Sequence, residues 1–269
     1  MSWGLRPPSY LYIWCVMSFF SGTWINGASM PQVVLRAGDI PPPLNQRYFT
    51  QLDGQSKYWR RVEPDYGQTT TATLECLFVG ADGTGVQYLV GRHSSDRFYV
   101  ALIGSDLVYG NGSGGGVAPT AINLTKINSA KLVADGTDVK FYVNNVLIST
   151  QAQGWSGLLD EVGFGVKGDQ LLDFYNGILV SARVATDTVD NKYGLDKNLA
   201  YALADGTTDP LADSTLIFEN GSIDGSDRLL VTEKGDGSGF VGETGIEYDY
   251  ATGAAPVDSY GTEYSTAYS

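Results

Sequence analysis

A chain with one histidine, His93, and two cysteines, Cys15 and Cys76, has few routes to covalent chemistry. A Ser-His-Asp relay would have to run through His93, in the turn-like stretch GRHSSDRF between two strand-like runs. Glycoside hydrolysis needs two carboxylates presented from one strand face. No Glu-x-Asp-x-x-Glu string occurs, and the adjacent Asp160 and Glu161 in LLDEVGFG fall on opposite faces of a strand. GNGSGGG at residues 110–116 lacks the Lys-Ser/Thr and the following helix of a phosphate loop. Cys15 and Cys76 show no metal-ligand or thiol motif, and their disulfide state stays open. What remains is the chemistry of binding. Sugar sites combine aromatic faces with amide, carboxylate or guanidinium hydrogen bonds, and Trp59, Arg97, Tyr99 and Trp155, with His93, are the candidates. Asp160, Asp169 and Asp173 are close enough in sequence to be calcium candidates, without the full oxygen pattern of a recognised loop. No other cofactor is implied.

The elements that would position these residues are strands. Six Asp-Gly and four Asn-Gly pairs punctuate 269 residues that hold 34 Gly and 17 Tyr but only 17% charged residues. In VKFYV, Val139, Phe141 and Val143 point one way and Lys140 and Tyr142 the other, the period of a half-buried strand. Asp135-Gly136 before it and Asn144-Asn145 after it favour turns that need positive φ, so KLVADGTDVKFYVNNVLIST reads as a meander. TATLECLFVG repeats the alternation, with Leu74, Cys76 and Phe78 on one face and Thr73, Glu75 and Leu77 on the other. Runs of this kind separated by turns predict an all-β antiparallel sandwich or jelly roll.

Charge divides the chain unevenly. The formal charge is −13, yet residues 1–61 carry +4, leaving −17 on the remainder. So acidic a body argues against a nucleic-acid partner. The run YLYIWCVM with SFF is too short to span a bilayer as a helix. With Arg6 before it, it reads as an extended arm that docks on another subunit through Tyr10, Leu11, Ile13, Trp14, Phe19 and Phe20; a signal peptide and an over-early start before Met30 are the alternatives. The expected organisation is an arm and proline linker at 1–45, the jelly roll at 46–190, a β-rich coda of the same body at 191–245, and a Tyr/Ser/Gly-rich tail at 246–269. The tail cannot build a core of its own.

The order YFTQLDGQSKYW, QYLVGR, RFYVALIG, KLVADGTDVKFYVNNVLIS and FYNGILVSARV resembles the laminin-G-like, concanavalin A-like jelly roll, with Asn144-Asn145 where that family has Asp-Gly or Asn-Gly. The segment from Asn198 to Gly242 looks like the end of bacteriophage virion proteins that carry such a domain. The resemblance implies a non-enzymatic structural protein of a tailed phage, a capsid decoration, head fibre or tail appendage. It would be displayed on the particle surface, joined to other virion proteins and to copies of itself, and would meet host-surface glycans. The alternative is a secreted or cell-surface glycan-binding module. An enzyme is the third reading.

Overall fold

The computed structural model describes residues 46–61, 68–80, 85–92, 97–112, 120–159, 162–168, 170–188, 190–193, 216–221 and 227–254. All lie in the compact unit Pro41–Ser269; the unit Met1–Ile40, and with it every expected arm residue, lies outside them. The described elements are strands, in chain order β1 Gln46–Asp53, β2 Tyr58–Arg61, β3 Gln68–Thr69, β4 Thr71–Gly80, β5 Val86–Arg92, β6 Phe98–Ile103, β7 Asp106–Asn111, β8 Thr120–Ala121, β9 Ile127–Asp135 and β10 Val139–Val143. There follow β11 Val146–Gln151, β12 Gly157–Leu158, β13 Gly163–Phe164, β14 Asn176–Thr186, β15 Asp190–Tyr193, β16 Leu216–Glu219, β17 Arg228–Glu233, β18 Gly239–Gly242 and β19 Glu247–Asp249. Among the described residues no helix is long and apolar enough to cross a membrane.

The strands form two large antiparallel sheets and a two-stranded ribbon of β12 with β3. Sheet one runs β11-β10-β9-β4-β14-β1-β17-β18-β19 with β15 beside β14, and sheet two runs β16-β2-β13-β5-β6-β7-β8. Their inner faces share one core, to which Leu74, Cys76 and Phe78 of β4 and Phe141 of β10 contribute from one side and Val100 and Tyr109 from the other. The architecture is an antiparallel β-sandwich of the jelly-roll kind.

The meander forms as its pattern predicts: Val139, Phe141 and Val143 are buried, and Lys140 and Tyr142 are half-buried. Asn144 and Asn145 take φ of 50° and 65°, the conformation of a two-residue hairpin turn. Asparagine holds it because the Asn144 side chain is used twice, its Oδ1 accepting from Ser129 N at 2.9 Å and its Nδ2 donating to Asn128 Oδ1 at 3.1 Å. At the other end only Gly136 has positive φ, and the Asp135 carboxylate shapes the turn by accepting from Thr137 N and Asp138 N at 3.0 and 2.8 Å.

The alternation expected of TATLECLFVG is incomplete. Leu77 and Val79, on the face opposite Leu74, Cys76 and Phe78, are buried as well. Their partner is the carboxy-terminal part of the body. Strands β9, β4, β14, β1, β17, β18 and β19 follow one another by hydrogen bonding, and a parallel bridge between Ile127 and Tyr250 returns the last to the first. Ala251 N donates to Ile127 O at 2.8 Å at that closure. The ring encloses a second core of Phe49, Leu77, Val79, Ile127, Val180, Val231, Phe240, Tyr248 and Tyr250, at least one side chain from every strand. Strands β4 and β14 are thus covered on both faces, which is why they read as near-continuous apolar runs rather than alternating ones. β19 falls within the segment expected to be tail, and residues 255–269 lie outside the described part.

On the outer face of β4 and β14 two buried charges pair. Glu75 and Arg183 stand opposite each other in register, both buried, 3.6 Å apart, and Arg183 Nε and Nη2 also donate to the Asp190 carboxylate at 2.8 and 2.9 Å. Lys126 and Lys234 both reach Asp249, fastening β19 where the ring closes.

Candidate functional site: the outer face of the second sheet

The sequence candidates separate into two groups. Trp59 and Trp155 belong to the interior, which corrects the expectation that their faces are exposed. Trp59 is 2% exposed; its Nε1 donates to Thr50 Oγ1 at 3.2 Å and its ring lies 4.8 Å from that of Phe218. It sits in β2, on the inner face of the sheet. Trp155, 3% exposed, lies 4.5 Å from the Phe98 ring.

Tyr99 and Arg97 do reach the surface. Residues of β6 alternate, so Phe98 and Val100 enter the core while Tyr99 and Ala101 belong to the outer face. Tyr99 is half-buried, with its ring centroid 4.7 Å from that of Tyr88 at an interplanar angle of 49°. In register, Tyr99 stands between Gly91 of β5 and Gly110 of β7. A Cβ at Gly110 would come within 2.3 Å of Tyr99 Cε1, so the ring occupies space that only glycine leaves. Tyr88, Ala101 and Val108 complete this outer cluster beneath it. Lys167 places its Nζ 5.9 Å from the Tyr88 ring, within cation–π reach. Arg97 is exposed, holds a φ of 23° that non-glycine residues seldom adopt, and accepts Gly112 N on its carbonyl at 2.6 Å. The arrangement can seat a flat apolar face on Tyr99 and offer cations beside it.

Sequence reasoning did not pick out Tyr88, Lys167 or Gly110. Tyr88 and Tyr99 are eleven positions apart and meet only because β5 shifts register between Tyr88 and Val90. The glycine at 110 carried a signal, since it opens the Gly-rich stretch directly after a strand-like run.

His93, Asp160 and Asp169 lie outside the described residues. Asp173 is exposed with φ of 54°, and its carbonyl accepts Tyr88 N at 3.0 Å. Among the described residues no group of three or more His, Cys, Asp or Glu side chains could hold a metal ion. Cys76 is a buried free thiol, and desolvation pushes its pKa up, away from nucleophilic use. Other carboxylates serve structure. Burial tends to raise the Asp53 pKa, but bonds from the Ser56, Gln55 and Lys57 amides outweigh it and bring it down to about 2. Asp227 pairs with Lys57 and Glu219 with Arg60.

The fold and this face define an antiparallel jelly-roll module with a surface aromatic site. No family model matches the chain, and no curated protein does. Among solved structures, the CBM40 module of Ruminococcus gnavus IT-sialidase, bound to α2,3-sialyllactose, superposes with a TM-score of 0.42 at 15% identity, covering 54% of this chain and 92% of that one. A putative carbohydrate-binding protein from Bacteroides ovatus gives 0.45 at 15% identity, with 76% and 58% covered. The heptameric SAP-like pentraxin of Limulus polyphemus gives 0.40 at 13% identity, with 54% and 77% covered.

Proposed function

We propose that the chain is a non-catalytic carbohydrate-binding module that seats a saccharide on the outer face of its second sheet. The observation that carries this reading is Tyr99, half-buried, its ring laid over Gly110 and braced by Tyr88. A pyranose ring stacks its C–H face on such a phenol, while charged and amide groups at the border bond its hydroxyls. Arg97 and Lys167 supply the border. The carboxylates of Asp53, Asp227, Glu219 and Asp249 are committed to a turn and to ion pairs, which fits a structural role for them. The finer expectation, display on a phage particle through residues 1–45, rests on sequence resemblance alone.

The test is a panel of immobilised neutral and acidic oligosaccharides probed with the full chain and with Tyr99→Ala. Binding that falls at least tenfold in the variant, with the melting temperature nearly kept, supports the site. If the unaltered chain binds no member of the panel, or Tyr99→Ala binds as well as it does, the reading fails. Release of reducing ends from any bound glycan would overturn the non-catalytic part.

A further inference from the structure

Where the two sheets adjoin at their edges, side chains rather than backbone join them. Tyr109 Oη of β7 and Ser149 Oγ of β11 are 2.9 Å apart, and two residues further along both strands Asn111 Nδ2 donates to Gln151 Oε1. The first rung is complete, but the second is not. Asn111 is 8% exposed, and its Oδ1, fully buried, has no hydrogen-bond partner. Turning both amides over would only exchange a leftover acceptor for a leftover donor. Burying such an atom unpaired is costly, and two apolar side chains would join the edges without that cost. The surroundings are aromatic and accessible from one side. Gly112, with φ of 64°, leaves Trp155 Cδ1 3.6 Å from where a Cβ would stand. Gly112 and Gln151 are only half-buried. Asn111 is the second residue of the glycine-rich stretch that has no phosphate-loop chemistry.

We propose that the Asn111–Gln151 rung is a second saccharide subsite, in which a sugar hydroxyl bonds the leftover amide atom of Asn111. A hydroxyl both donates and accepts, so it satisfies either orientation of the amide pair. Gln151, at the end of an edge strand, is the side chain that moves to admit it. This inference rests on the reading of the chain as a glycan binder, but on residues other than Tyr99, so the two can fail separately.

The experiment titrates the full chain with glucose and with N-acetylglucosamine, following the side-chain amide signals of Asn111 and Gln151 and the Trp155 indole N–H by NMR. The expected result is a saturable shift of all three with at least one sugar, kept in Tyr99→Ala and weakened tenfold or more in Asn111→Leu. Should Asn111→Leu not fold, Gln151→Leu, on the half-buried side of the rung, replaces it with the same expectation. Signals unmoved by both sugars, the result if one trapped water fills the rung, overturn the proposal, as does undiminished binding in the rung variant. Loss of every shift in Tyr99→Ala also sinks the seam while leaving the outer-face reading intact.

Discussion

Replacing Phe240 by alanine tests whether the carboxy-terminal strands are structural partners of the sandwich or an appendage to it. Phe240 is fully buried in the second core, with its ring 5.1 Å from that of Phe49 and 5.9 Å from that of Tyr250. A buried Phe→Ala change costs about 3–5 kcal/mol. Both edge-to-face contacts disappear with it, each worth about 0.5–1.5 kcal/mol beyond area, which places the change in the upper part of that range. For a body of this size one kcal/mol lowers the melting temperature by about 2–4 °C, so a fall of about 8–20 °C is expected by circular dichroism. Hydrogen exchange locates the damage. Amides of β17 and β18 should exchange faster, and so should those of β4 around Leu77 and Val79, while β5 to β7 hold. A fall below about 2 °C, or unchanged protection in β4, would refute the claim that the second core supports the first.

Gly110→Ala should displace the Tyr99 ring and weaken glycan binding at least tenfold, with a smaller effect on the melting temperature; unchanged binding would show that the ring's seat is unimportant. Glu75→Ala strands Arg183 in a buried site, a loss of about 3–5 kcal/mol reduced by the pair Arg183 keeps with Asp190, measured by denaturant unfolding. The folded pKa of Asp53 is depressed to about 2 from an ordinary 3.8. Its contribution is therefore full above pH 3.8, fades as pH falls through 2, and should be missing from an acid titration of Asp53→Asn. Cys76 should resist thiol reagents in the native protein and label only on unfolding, because burial holds the thiol protonated.

The sandwich was legible because its signals are local. Val139, Phe141 and Val143 state their face by period, and Asn144-Asn145 states its turn by residue type. The second core was not legible, since Leu77 and Val79 are buried by Phe240 and Tyr248, more than 150 residues later. Aromatic candidates suffered from the same limit. A tryptophan at a strand position is equally suited to core and surface, and only the pairing partners decide, which put Trp59 against Phe218 and Tyr99 outside. Tyr99 stood among the candidates and its neighbour Tyr88 did not, because a register shift, invisible in composition, brings their rings together.

The strand ring has a consequence for how the chain is made. β1 leaves the ribosome early, yet its partners are β14 and β17, and the closure at Ile127 waits for Tyr250 and Ala251. Until then Phe49, Leu77 and Val79 have no cover, and strand edges of the growing chain lie open. Closing contacts this distant in sequence is slow, and a nascent chain in that condition is prone to associate with others. A stop codon shortly before Phe240 would therefore yield not a shorter sandwich but a persistent version of that nascent state, one that chaperones hold or that aggregates.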